Sequence, residues 1–172
     1  MSNSFPRRDS SSVQQATLCF LIKEGRVLLA MKKRGFGVGL WNATGGKFNP
    51  EKDTSLRKTA VRETKEEIGV VPNNLKKVAL IHFYFPKDSK KVYWNQDVHV
   101  YISKEWKGKP KESEEMRPAW FTFDRIPYEK MWSDDSLWLP EVLKGQKVEC
   151  WFEFDDNNEV VDYKVEKVDG VE

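Results

Sequence analysis

The chain has 172 residues, 39% hydrophobic and 33% charged, enough to bury one substantial core beneath a heavily charged surface. Its formal charge of +2 is too balanced to argue for a nucleic-acid or membrane surface, and no apolar run reaches the length of a membrane span. Two cysteines, Cys19 and Cys150, make no disulfide framework, so a reducing compartment is expected: cytoplasmic, with mitochondrial and nuclear pools left open.

Residues 1–13 are polar, lack the apolar stretch of an export signal despite Arg7–Arg8, and read as a disordered tail ahead of a single domain over 14–172. Residues 16–22 and 26–33 are β-rich runs around a Lys-Glu-Gly turn. Three glycines in five residues (Gly35, Gly37, Gly39) then form a loop that can approach a partner closely, without the GxGxxG spacing of a dinucleotide site. Beyond Gly45–Gly46, the segment 54–69 reads as a helix capped by Asp53 or Thr54 and stopped by Gly69. Its inward stripe would be Leu56, Ala60, Val61, Thr64 and Ile68.

The period then changes to alternation. Strands are expected at 78–85, 96–103 and 118–123, with a hairpin connection over 86–95. His82 and His99 fall in these runs and read as ordinary strand residues. A short second helix follows around 135–145, which Pro140 would kink unless it lay in the first turn. A last hairpin turns at Asp155–Asn158. Lysine clusters at 76–77, 87–91 and 104–111 read as solvated loop ends. The whole describes an α+β domain with a mixed sheet.

Two stretches carry chemistry. In the helix, Glu63, Glu66 and Glu67 stand at i, i+3 and i+4 and share one face. Taken alone they could be a solvated face relieved by Arg62 and Lys65. Placed after Gly45–Gly46, they make an oxygen-rich cluster suited to a hard divalent cation, with a glycine-exposed carbonyl to complete it. Near the other end, Asp134 and Asp135 lie between Trp132 and Trp138 in an apolar decamer. Two carboxylates in an apolar site do not both ionise easily; one shared proton leaves acceptors plus a donor. The bland alternative is that one of them caps the second helix.

The run from Gly45 to Val70 resembles the Nudix box. Arg62, Glu63, Glu66, Glu67, Gly69 and Val70 fit it, with Thr64 at the usual aliphatic place. The first half departs: Gly46 lies two residues too far upstream, and Thr54 stands where the box has a glutamate, for which Glu51 or Asp53 could substitute. Residues 31–42, 97–103, 112–121 and 131–140 further resemble the branch of that family that hydrolyses oxidised purine nucleoside triphosphates. The resemblance implies the Nudix fold, a mixed β-sheet between helices (α/β/α). It also implies Mg²⁺-dependent hydrolysis, with Mn²⁺ as substitute ion, of a small nucleotide such as 8-oxo-dGTP or 2-hydroxy-dATP to monophosphate and pyrophosphate. No stable nucleic-acid or membrane partner is expected, and the chain is expected to act as a monomer.

Residue by residue, the resemblance assigns the Gly45 carbonyl, Glu63, Glu66, Glu67 and Glu115 to the metal region, Glu66 being a further ligand or water-activating base. Arg62 orients Glu63 by a charge-assisted hydrogen bond. Asn42, Trp132, Asp134 and Asp135 match the base-contacting positions, with Phe36, Phe83 and Trp138 as apolar walls. Thr17, Lys32 and Gln96 match further pocket positions, Gln96 standing where relatives carry methionine. Gly46 and Lys47 face the phosphates. The rival readings are a nucleic-acid-binding module using the lysine clusters, a Nudix enzyme for another nucleotide, capped RNA or nucleoside-diphosphate sugar, and a catalytically silent Nudix scaffold.

Overall fold

A computed structural model describes residues 5, 13–86, 90–91 and 94–171. The expected tail (1–13, apart from Phe5 and Val13) and residues 87–89 and 92–93 of the 86–95 connection lie outside the described residues.

The strand expectations hold, with additions. β1 (Gln14–Lys23) and β2 (Arg26–Lys32) form the first hairpin. β3 (Trp41–Asn42) and β4 (Thr44–Lys47) are additions between the glycine loop and the helix. After helix α1 (Leu56–Ile68) come β5 (Val71–Asn73), β6 (Lys76–Tyr84), β7 (Gln96–Ser103), β8 (Glu105–Lys107) and β9 (Met116–Thr122). Helix α2 (Asp135–Leu143) precedes the closing pair β10 (Lys147–Phe154) and β11 (Val160–Val168). The short strands escaped the sequence because two to four residues are too few to show a period.

Nine strands form one sheet, in the order β11-β10-β6-β7-β1-β2-β3, with β4 on β1 and β9 on β2; β5 and β8 pair separately. The β1–β7 and β10–β6 pairs are parallel and the others antiparallel, so the sheet is mixed. β1 changes partner midway: residues 21–23 pair with β2, and 16–19 with β4. That divergence of β2 and β4 opens a cleft in the sheet.

The alternation of each strand feeds two cores. One face carries Phe20, Leu29, Ile81, Val100 and Phe152, packed with Trp138, Leu139 and Val142 of α2. The other carries Cys19, Leu21, Leu28 and Tyr101, covered by Ala60 and Ile68 of α1. The layers are α/β/α, as expected. Cys19 and Cys150 are free, buried and in different cores. Among the described residues no helix is long and apolar enough to cross a membrane.

Helix α1 differs in detail from its sequence reading. Its cap is Ser55, in extended backbone, whose hydroxyl accepts the Lys58 N–H at 3.2 Å; neither Asp53 nor Thr54 caps it. Asp53 is drawn elsewhere, into the candidate site. Gly69 ends the helix with positive φ, donating to the Lys65 carbonyl. Thr59, Ala60, Thr64, Glu67 and Ile68 form the buried stripe, while Leu56 and Val61 are only half-buried. The stripe is turned because a carboxylate, Glu67, occupies an inward position. In α2, Pro140 lies past the first turn; the carbonyl it cannot serve belongs to Ser136, an exposed residue.

Replacing Ser55 by alanine should lower unfolding stability by about 1 kcal/mol, as loss of a capping hydroxyl does, while Thr54→Ala should stay within about 0.5 kcal/mol. Urea denaturation of the two variants separates these outcomes.

Candidate active site

Everything at the site is arranged about β4. Its two glycines are required by space. A Cβ on Gly45 would lie 1.9 Å from the Thr17 carbonyl oxygen of β1, and one on Gly46 would lie 2.4 Å from the Glu63 carboxyl carbon. So β4 is pressed between its sheet neighbour and helix α1. A chain of hydroxyls holds it there: Thr44 donates to the Cys19 carbonyl at 3.2 Å, and the single Thr64 proton is shared between the Ala60 carbonyl and the Thr44 oxygen, each 2.8 Å away. A threonine therefore serves at 64, where the box has an aliphatic residue, because it bonds back into its own helix and across to β4.

The three glutamates of α1 share a face but differ in exposure. Glu67 is 4% exposed; its Oε1 accepts the Gly45 N–H at 3.2 Å, and its Oε2 is buried with no hydrogen-bond partner. Burial pushes its carboxyl up to about 8 against the Gly45 N–H, and the charges of Glu63 and Glu115 push the same way. Glu63 is half-buried, and burial raises it too. Glu66 points to water.

Arg62 organises the group. Its Nε and Nη2 grip both oxygens of Asp53 at 2.7 and 2.8 Å, and its Nη1 reaches Glu63 at 2.7 Å and Glu66 at 3.2 Å. The bidentate guanidinium holds the Asp53 carboxyl down to about 2, although Asp53 is only 5% exposed. Of the two substitutes for the displaced box glutamate, Asp53 is the one engaged with the helix; Glu51 is exposed. The two extra residues are absorbed in the 48–55 turn, where Asp53 N–H donates to the Asn49 carbonyl at 2.8 Å. Arg62 thus orients Glu63, as expected, with Asp53 as its main anchor. On the adjacent loop Glu115 pairs with Arg34 at 3.0 Å, close enough to act on Glu67 electrostatically.

Among the described residues no three acidic, histidine or cysteine side chains converge into a ready-made metal cage. The reason is visible in the ion pairs: Arg62 draws Glu63 and Glu66, and Arg34 draws Glu115. The donor set nevertheless fits a divalent cation. An unpartnered buried carboxylate oxygen on Glu67 is unfavourable without a cation or proton, and the neighbouring acceptors are all oxygen.

On the other side of β4 lies a cavity of about 480 Å³, within the range of small-molecule sites. Thr17, Lys32, Asn42, Gly45, Gly46 and Lys47 line the part next to β4. Phe36, Phe83, Gln96, Trp132, Asp134 and Asp135 line the rest. The Gly35–Gly39 loop, with positive φ at all three glycines, carries Phe36 over the opening, where it is 50% exposed against Trp94 at 4.3 Å and Trp132 at 5.0 Å between ring centroids. Phe85, Trp94 and Phe154 complete an aromatic lining that sequence reasoning missed; only the abundance of aromatic residues hinted at it.

One expected wall is wrong. Trp138 does not line the cavity; it is fully buried in the core, edge-on to Phe20 at 6.0 Å. Its position four residues after Asp134 on α2 turns it inward, and its indole N–H donates to Asp134 Oδ2 at 2.9 Å. Asp134 occupies the cap position of α2 but makes no side-chain capping bond, so the capping alternative fails as well. Both aspartates are at most 3% exposed. Burial raises Asp134 to about 6 despite the indole donor. Burial, then the neighbouring Asp134 charge, raises Asp135 well above the usual carboxylate range; its Oδ2 has no partner. Asn42 Oδ1 accepts the Ala43 N–H at 2.8 Å, which fixes the carboxamide and leaves its NH₂ for the cavity.

These features have counterparts. Residues 13–142 match the model of the NUDIX domain. The chain is 39% identical over 155 residues to the oxidized purine nucleoside triphosphate hydrolase of Danio rerio, covering 90% of this chain and 96% of that protein. It is 40% identical over 154 residues to the protein of the same description in Mus musculus, covering 90% and 95%. A MutT protein from Bacillus halodurans has the same fold, with a TM-score of 0.75 and 23% identity over 90% of this chain and 98% of that one. The chain belongs to the NUDIX family of hydrolases. With that membership comes a general need for a divalent metal.

The two glycines of β4 are expected to fail differently when given a Cβ. Gly45→Ala meets backbone and should destabilise the fold by several kcal/mol. Gly46→Ala meets the Glu63 carboxylate, a movable side chain, and should lose hydrolysis while keeping most of its stability. Thermal unfolding and turnover measured on both variants check the contrast.

Proposed function

We propose that this chain hydrolyses oxidised purine nucleoside triphosphates, 8-oxo-dGTP and also 2-hydroxy-dATP, to the monophosphate and pyrophosphate, clearing them from the nucleotide pool. The observation that carries this reading is the buried Asp134–Asp135 pair opening into an aromatic-lined cavity whose far wall, β4, is backed by the acidic helix. The names of the zebrafish and mouse relatives agree with it.

The residues divide the task. Trp132 stacks on a purine face, under the exposed edge of Phe36. Asn42 offers its NH₂, Asp134 an acceptor held by Trp138, and Asp135 a protonated carboxyl, so that the base edge meets acceptors and donors together. Phe83 and Gln96 close the wall formed by β6 and β7, and Thr17 braces the Gly46 carbonyl at 3.4 Å. Lys32 and Lys47, at the end of the cavity near β4, face the phosphates.

Behind β4, the Gly45 carbonyl, Glu63, Glu67 and Glu115 would hold Mg²⁺, or Mn²⁺ in its place, with Glu66 as a further ligand or as the base that takes the proton of the attacking water. When bound, the metal neutralises phosphate charge and lowers the pKa of a bound water. Arg62 keeps Glu63 aimed at Gly46, and the Arg34–Glu115 pair must open for Glu115 to turn inward. Water adds to a phosphorus of the triphosphate while the α–β anhydride bond breaks, its proton goes to a carboxylate, and the monophosphate and pyrophosphate separate. The reading places a monomer in the cytoplasm, acting on free nucleotides.

A hydrolysis panel over normal and oxidised nucleoside triphosphates with Mg²⁺ tests this. Oxidised purines should lead, with pyrophosphate rather than phosphate released, and Glu67→Gln should lower kcat by ~10²-fold or more. Asp134→Asn and Asp135→Asn should shift the ratio of kcat/KM between 8-oxo-dGTP and 2-hydroxy-dATP by about tenfold. An unchanged ratio in both variants would remove the aspartate pair from recognition.

A further inference from the structure

His82 lies on β6, on the sheet face opposite the cavity, and both its ring nitrogens meet carboxylates. Nδ1 is 2.7 Å from Asp97 Oδ1 on β7, and Nε2 is 2.9 Å from Glu149 Oε1 on β10. A neutral imidazole has one N–H; its other nitrogen would set a lone pair against a carboxylate oxygen. Only the imidazolium satisfies both contacts. The network continues through Asp97 Oδ2, which accepts Gln15 Nε2 of β1 at 3.3 Å. Gln15 Oε1 in turn accepts the Nε2–H of His99 at 2.6 Å, and this second histidine is buried with its Nδ1 unpartnered. His99 is therefore the neutral one: burial, then Lys77, lowers it to about 4.

The registers give this network a position. His82 faces Asp97 across β6–β7, and Asp97 faces Gln15 across β7–β1. Strand alternation sends each following or preceding side chain to the other face. Those neighbours are Phe83, Gln96 and Gln14, and all three line the cavity. The ionic rung is thus the back of the pocket wall.

We propose that His82 is a positioning residue acting as a doubly protonated tie across β10, β6 and β7, which holds the Phe83–Gln96–Gln14 wall in place until loss of its proton loosens it. The charged groups on this face include Lys77 of β6, and Asp162 and Glu166 of β11, which stand opposite Glu153 and Glu149. From β7 come Asp97 and His99, from β10 Glu149 and, on the same face, Glu153 and Trp151, whose ring stacks on His82 at 5.4 Å. Lys164 of β11 lies over Trp151 at 5.2 Å, and Gln15 approaches from β1. Helix α1 packs mainly on β1, β4, β5 and β9 and reaches β7 where Arg57 lies over Tyr101 at 5.3 Å. Burial alone would lower the His82 pKa; the hydrogen bonds and charges of Asp97 and Glu149 outweigh it and raise the group above its ordinary 6.5. The tie is therefore complete below pH 6.5 and is lost as pH rises through the raised value.

Only the kinetic arm of the test rests on the proposed substrate. Ring ¹⁵N shifts of His82 in the full chain should show both nitrogens protonated at pH 7, and the thermal-stability gap between wild type and His82→Gln should narrow as pH rises through the His82 titration. For 8-oxo-dGTP, the KM of His82→Gln at pH 7 should be roughly three- to tenfold higher, less than the ~100-fold that a 1 Å misplacement can cost, with a smaller change in kcat. Wild-type KM should climb towards that of the variant at alkaline pH. A neutral His82 ring at pH 7, or KM–pH profiles that run parallel in the two proteins, would overturn the proposal. If the oxidised substrate is not turned over at all, the function proposed above fails, and the ring shifts and stability gap still decide the charge of the tie.

Discussion

The Gly45 N–H bond to the Glu67 carboxylate is the contact on which the site is built. It requires a strand with no side chain at 45 or 46, a helix close enough to reach that strand, and a carboxylate on the buried side of the helix. Each of these costs stability: glycine weakens a strand, and a buried carboxyl resists ionisation. The surrounding structure compensates with the Thr64–Thr44–Cys19 hydroxyl chain and with the apolar contacts of Ala60 and Ile68 against the sheet. What results is a buried carboxyl with one unpartnered oxygen, which a proton or a divalent cation can satisfy.

The divergence of β2 and β4 along the one edge of β1 that β7 leaves free opens the cavity. A nucleotide has a flat apolar end and a charged end, and the proposed function assigns them to different parts of the cavity lining. Aromatic rings and the proton-sharing aspartates occupy one part, and Lys32, Lys47 and the glycine strand the other. The side chains on the two sides of β4 never need to touch, because the backbone of one short strand serves both.

Much of this was legible in the sequence because it rests on periodicity and on charge spacing. Glu63, Glu66 and Glu67 announce one helical face, and the alternation in β1, β6, β7 and β10 announces the sheet. The resemblance places Trp138 among the pocket walls, whereas its position four residues after Asp134 sends it inward to bond that carboxylate. Asp53 was weighed as a helix cap and as a stand-in for the missing box glutamate; the bidentate pull of Arg62 resolved that choice against capping. His82 reads in the sequence as an ordinary strand residue. Its partners lie 15 and 67 residues away, and only strand register brings them together.

Burial that pushes the Glu67 carboxyl up to about 8 predicts that it holds a proton at pH 7 until a cation displaces it. Calorimetric titration of the protein with Mg²⁺ at pH 7, repeated in buffers of different ionisation enthalpy, measures the protons released. About one proton should leave per metal bound, and the Glu67→Gln variant should release none at that site. Equal heats in every buffer for the native chain, or an unchanged release after Glu67→Gln, would contradict the account.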